Sequence, residues 1–74
     1  MNNLRSEHEL KAAEFAKLAS IHFQKAAEFN DAGDVEHAIH QFLLAATDID
    51  YSSIHAKQAN DYSFNNMIND TPEL

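Results

Sequence analysis

The chain has 74 residues with 12 acidic and five basic side chains, five histidines and no cysteine, for a formal charge of −7. A chain this short forms at most one domain, and with about 60% of its unfolded surface buried it has little core to spare. Without cysteine it has no disulfides or thiolate metal sites to make up the difference.

The acidity argues against a surface that neutralises nucleic-acid phosphates, which needs clustered Lys and Arg. It argues equally against docking on anionic lipid. The longest apolar run, Phe42 to Ala46, is far short of the roughly 20 residues that span a bilayer. The segment Met1 to Glu9 has no apolar run of signal-peptide type. These features lead us to expect a soluble, cytoplasmic protein. A single Gly and a single Pro point to long regular elements with few turns.

Residues 1–5 are expected to be disordered. Ser6 and Glu9 have the spacing of a capping box, which predicts a helix start at Ser6. Good helix formers then run without a breaker to Ala32, and Gly33 supplies a left-handed stop. The first predicted helix is therefore 6–32. Within it, Lys-Ala-Ala-Glu-Phe occurs at 11–15 and again at 25–29. Fourteen residues are two heptads, so the copies fall on nearly the same face. Phe15, Leu18, Ala19, His22, Ala26 and Phe29 are read as that face, with Ala12, Ala16 and Phe23 at its edge. Glu14, Lys17, Gln24, Lys25 and Glu28 stay wet on the other side. The repeat is thus architectural: a knob, small residues that let another helix approach, and solvated charges.

Asp34 follows Gly33 and is suited to cap a second helix, 34–64. Val35, Ala38, Ile39, Phe42, Ala45, Ala46 and Ile49 are read as its apolar stripe. So short a connection predicts an antiparallel hairpin. Beyond Ile49 two outcomes are open. Asp48 to Ser53 has poor helix propensity, and a break near 50–53 would create a third helix. Yet the stripe stays in register through Ser52, Ser53, Ala56, Ala59, Ser63 and Met67, as one continuous helix requires. The Asn-rich segment 65–74, with the only Pro, is expected to fray. The fold class expected is all-α: a hairpin of this kind, pairing as a homodimer into a four-helix bundle.

Residues 22–46 resemble one tetratricopeptide-like helical hairpin, through Ala26, Phe29, Gly33-Asp34, Ala38-Ile39, Phe42 and Ala45. His22 and Lys25 depart from that pattern. The chain from 8 to 62 is also similar to a group of small bacterial helical proteins rich in Ala and His. Their tandem Lys-Ala-Ala-Glu units are followed by Ala-Gly-Asp and a second His-bearing helix. Both resemblances imply a helical hairpin and neither implies an activity.

His37 and His40 stand one turn apart, and imidazoles at that spacing can share a divalent transition metal. They are the candidate metal ligands; the competing reading is two exposed polar side chains. His22 lies on the apolar face, where a hydrogen bond to the facing helix competes with a pH-switch role. No nucleophile turn, phosphate-cradling loop or enclosed carboxylate pair is visible, so neither an enzyme nor a cofactor is expected. Opposite the core side of helix two, a second stripe, with Leu44, Tyr51, His55 and Tyr62 beside His37 and His40, is the candidate interaction surface, and Leu10 and Ile21 lie outside the main stripe of helix one. The leading functional expectation is a non-catalytic protein–protein interaction or self-association module. One alternative is a small acidic inhibitor of the phage type, occupying a basic nucleic-acid groove on a host enzyme. The other is histidine-mediated metal binding.

Overall fold

The computed structural model describes the backbone of residues 4–69 and the side chains of residues 4–62. Two helices, α1 (Leu4–Asp31) and α2 (Val35–Asn69), pack side by side as an antiparallel hairpin. α1 begins before Ser6, so Ser6 lies in its first turn and is not its cap. Leu4 and Arg5 are good helix formers, and Arg5 reaches Glu9 one turn on at 3.4 Å, a pairing that favours the earlier start. α2 runs unbroken through 50–53, so no third helix forms there. Its small and apolar register outweighs the weak local propensity of Asp50 to Ser53. Of the segment expected to fray, 65–69 is helical and 70–74 lies outside the described residues.

The connection is as tight as the sequence implies. Gly33 adopts φ 80°, the left-handed conformation that costs other residues a Cβ clash. The Gly33 amide then donates to the Asn30 carbonyl at 3.0 Å, and the Asp34 amide to the Phe29 carbonyl at 2.8 Å. This pair of bonds is a Schellman motif, which satisfies the last carbonyls of α1. Asp34 serves α2 as well. Its carbonyl accepts from Ala38 at 3.1 Å, and its carboxylate accepts from the His37 amide at 3.2 Å. One residue thus closes one helix and caps the next. The Phe29 ring lies against the His37 ring at 5.2 Å and seals the corner.

The seam between the helices follows a strict alternation of four and three. On α1 it runs through His8, Ala12, Phe15, Ala19, His22, Ala26 and Phe29. On α2 it runs through Asp34, Ala38, Gln41, Ala45, Asp48, Ser52, His55 and Ala59. Among the described side chains, these residues, with Phe23 and Ala46, are the ones withdrawn from solvent. Among the described residues, the buried apolar core consists of Ala19, Ala26, Ala38, Ala45 and Ala59, and no large side chain is fully buried. Small residues at alternate seam positions bring the backbones close. The Ser52 hydroxyl donates directly to the Ala12 carbonyl of the facing helix at 2.8 Å, which only a close approach permits. The repeated pentapeptide is thereby explained. Its second residue (Ala12, Ala26) and its fifth (Phe15, Phe29) both sit in the seam.

The apolar stripe expected on α2 is only half in the seam. Ala38, Ala45, Ser52 and Ala59 are there, but Val35, Ile39, Phe42 and Ile49 are 57%, 55%, 54% and 44% exposed. They stand one residue beyond the seam, about 100° around the helix. Leu18 on α1 is likewise exposed. The bulky side chains are displaced because close packing through alanine leaves no room for them between the helices. The result is a slab measuring 63 × 22 × 12 Å between Cα extremes, one layer of helix thick.

Gly33→Ala introduces no clash, since nothing lies within 4 Å of the added methyl. The backbone conformation alone should therefore lower stability by about 1–2 kcal/mol, read as a drop in the thermal or urea midpoint. An unchanged midpoint would mean that the turn does not need its left-handed residue.

Candidate functional site

Polar side chains form a ladder along the seam. His22 of α1 donates through Nδ1 to the Asp48 carboxylate of α2 at 2.6 Å, with both side chains largely buried. This is the hydrogen bond to the facing helix that the position of His22 suggested. Toward the open end, His8 and His55 meet with their Nδ1 atoms 3.0 Å apart. The Phe15 ring is nearly parallel to the His55 ring at 5.8 Å, and Tyr51 lies over Phe15 at 5.3 Å. Nearer the turn, the Gln41 Oε1 is buried without a hydrogen-bond partner, beside Lys25, Glu28, Phe29 and Ala32.

The residues expected to carry function fall in several places. His37 donates through Nδ1 to Asp34 at 2.7 Å, so that nitrogen is committed to the helix cap. His40 is exposed one turn further on. Among the described residues, no group of three or more His, Cys, Asp or Glu side chains is placed to hold a metal ion. Of the expected interaction stripe, His55 is drawn into the seam and Tyr51 leans on Phe15, while Leu44 and Tyr62 are exposed. That stripe lies beside the seam and partly in it, rather than opposite.

The slab has two broad faces of different character. One carries the positions just after the seam: Val35, Ile39, Phe42, Ala46, Ile49, Ser53 and Ala56 on α2, with Ala16, Ser20, Phe23 and Ala27 on α1. None of these residues is charged, and the charged member of the same series, Glu9, stands at the open end beside Arg5, Ala56 and Asn60. Phe23 and Phe42 meet edge to face at 5.6 Å, and an apolar groove continues between Ala16, Ser20, Phe23 and Ile49, Ser53. The other face carries Leu18 and Ile21 among Lys11, Glu14 and Lys17, opposite Leu44 and Tyr51. Its charges pair at the surface, as in Lys11 to Glu14 at 3.3 Å, and such exposed pairs add little. The first face was read from the sequence as internal core, which concealed it as a surface. The signal that could have revealed it is the second four-three series on α2, one residue out of step with the alanines.

No helix among the described residues is long and apolar enough to cross a membrane. Comparison with known proteins finds no matching family model, no matching curated protein and no matching solved structure.

Two outcomes follow from the polar contacts. Removing either member of the His22–Asp48 pair leaves its partner unsatisfied, so His22→Ala and Asp48→Ala should each cost about 1–3 kcal/mol. The double variant should cost less than the sum of the two, and strict additivity in a denaturation cycle would show that the pair is not coupled. The hydrogen bond from the His37 amide, aided by the His37 side chain, holds the Asp34 carboxyl below its ordinary value of 3.8. A lowered folded-state value means that the ionised cap stabilises fully above 3.8 and fades as pH falls through the lower folded value. Thermal midpoints measured down an acid series should show this loss in the parent chain and not in Asp34→Asn, which caps without ionising.

Proposed function

We propose that this chain is a non-catalytic helical self-association module, a hairpin that pairs with a second copy of itself into a four-helix bundle. The uncharged face through Val35, Ile39, Phe42 and Ile49 is the contact. One observation carries the reading: a slab one helix thick leaves a continuous heptad stripe of large apolar residues in water. Domains are ordinarily two or more layers around a core, and we assign the second layer to another copy of the chain.

Magnitudes support it. Five buried alanine methyls supply only about 4 kcal/mol of hydrophobic stabilisation, little against the entropy of ordering two long helices. The accessible surface is 5707 Å², where a globular monomer of 8.3 kDa exposes about 4,600 Å². The excess is on the order of the ~800 Å² that each partner contributes to a standard interface.

Charge supports a second copy as the occupant. At −7, two chains repel unless they meet where neither carries charge, and this face meets that condition along its length up to the open end, where Glu9 stands beside Arg5. Its four-three spacing on α2 matches that of the internal seam, so a two-fold pairing can interdigitate like with like.

Light scattering behind size exclusion, at protein concentrations a hundredfold apart, should give twice the chain mass. Phe42→Glu with Ile49→Glu should return a single chain mass and lower the thermal midpoint. Leu18→Glu with Leu44→Glu, on the other face, should leave the mass doubled. A single chain mass for the parent chain at both concentrations would overturn the proposal. So would dissociation by the Leu18 and Leu44 pair alone.

A further inference from the structure

The His8–His55 contact has a geometry the other polar contacts lack. The Nδ1 atoms are 3.0 Å apart, and the ring centroids are 5.3 Å apart with planes inclined by 29°. That centroid separation is about the nitrogen-to-nitrogen distance plus one ring radius at each end. The rings therefore meet edge to edge, each Nδ1 aimed at the other. Two such nitrogens hold one proton between them, since both cannot act as donor nor both as acceptor.

We infer that His8 and His55 form a two-imidazole site for a borderline divalent transition-metal ion, of which Zn²⁺ is the example tested. Imidazole suits such ions, with metal–nitrogen distances of about 2.0–2.1 Å. A tetrahedral ion of that radius asks for nitrogens about 3.3 Å apart and for each ring to turn by about 35° off the line between them, a few tenths of an ångström and a small rotation beyond the arrangement present. Half-buried rings at the open end of the hairpin can supply that adjustment. The ion takes the place of the shared proton. In a neutral pair, the ring that carried hydrogen on Nδ1 changes tautomer, so its proton moves to Nε2 and none is lost. A pair holding an extra proton releases it to solvent, so acid competes with the metal. Water fills the remaining coordination positions.

The residues that support the pair belong to the same column. Phe15 lies nearly parallel to His55, with an 8° interplanar angle, and limits the directions that ring can take. The two ligands are 47 positions apart in sequence and meet only when the helices are zipped to their open end. An ion bound there favours the folded hairpin over the unfolded chain by mass action. This site is distinct from His37 and His40, which stand at the turn end.

The experiment is thermal denaturation of the full chain at fixed protein concentration and neutral pH, with and without excess Zn²⁺, and with a chelator to reverse the effect. The expected result is a midpoint raised by about 5 °C or more. The rise should be lost in His8→Ala and in His55→Ala, and kept in His37→Ala and His40→Ala. The unmodified chain gives an independent readout that does not depend on a variant folding. In a substoichiometric Zn²⁺ titration followed by NMR, the ring signals of His8 and His55 should move first. No midpoint shift in the parent chain would overturn the inference. So would a shift that survives His55→Ala, or ring signals of His37 and His40 responding ahead of His8 and His55.

Discussion

The close approach of two backbones through alanine is the constraint on which the rest of this structure depends. Alanine adds nothing to side-chain entropy loss and is the best helix former, so a seam built on it is cheap to order. It is also thin. A side chain of one carbon fills the space between two helices only when their axes come to about 8 Å, and once they do, large side chains other than Phe15 and Phe29 at the alternate seam positions must go elsewhere. In this chain they go to the two broad faces. A short chain whose core is five alanines has moved its hydrophobic capital to its surface. From that follow both the one-layer shape and the case for a second layer supplied by another copy.

Much of this architecture is legible in the residues, and the parts that are not fail for a definable reason. Gly33 followed by Asp34 announces a stop and a cap, and the backbone there performs both functions. The repeated Lys-Ala-Ala-Glu-Phe sets a two-heptad face on α1, of which Phe15, Ala19, His22, Ala26 and Phe29 are in the seam. Continuity through Asp50 to Ser53 follows from register, against propensity. On α2, however, two series share the same four-three period: one begins at Asp34, the other at Val35. Periodicity alone cannot choose between series that differ by a single step. Hydrophobicity chooses the second, because it contains Val35, Ile39, Phe42 and Ile49. Steric fit chooses the first, because α1 offers Ala19 and Ala26 and needs Ala38 and Ala45 opposite them.

The same displacement explains why the polar contacts were hard to read. Gln41, Asp48 and His55 look like solvent-facing residues when Phe42 and Ile49 are taken as core. Turned into the seam, Asp48 finds His22 and His55 finds His8. His8 has no recognisable local role in its own sequence neighbourhood. Its role depends on a residue on the other helix, and only the antiparallel register fixed at Gly33 brings the two together.

That register raises a question of specificity that alanine cannot answer. Along α2 the small residues Ala38, Ala45, Ser52 and Ala59 recur every seven positions. Sliding one helix past the other by a heptad would again place small residue against small residue, at little packing cost. The polar ladder does not tolerate such a slip. Moved by one heptad, His22 would face Gln41 or His55 instead of Asp48, and Asp48 would be left buried beside a side chain that does not answer its charge. Burying an unpaired carboxylate is far more costly than repacking a methyl group. The tight turn and the ladder therefore select the same alignment by independent means, one through backbone geometry and the other through electrostatics. Agreement of that kind between local and long-range preferences gives a small chain a single fold. It also gives the buried histidines and Asp48 a structural reason to be polar where leucine would pack more strongly.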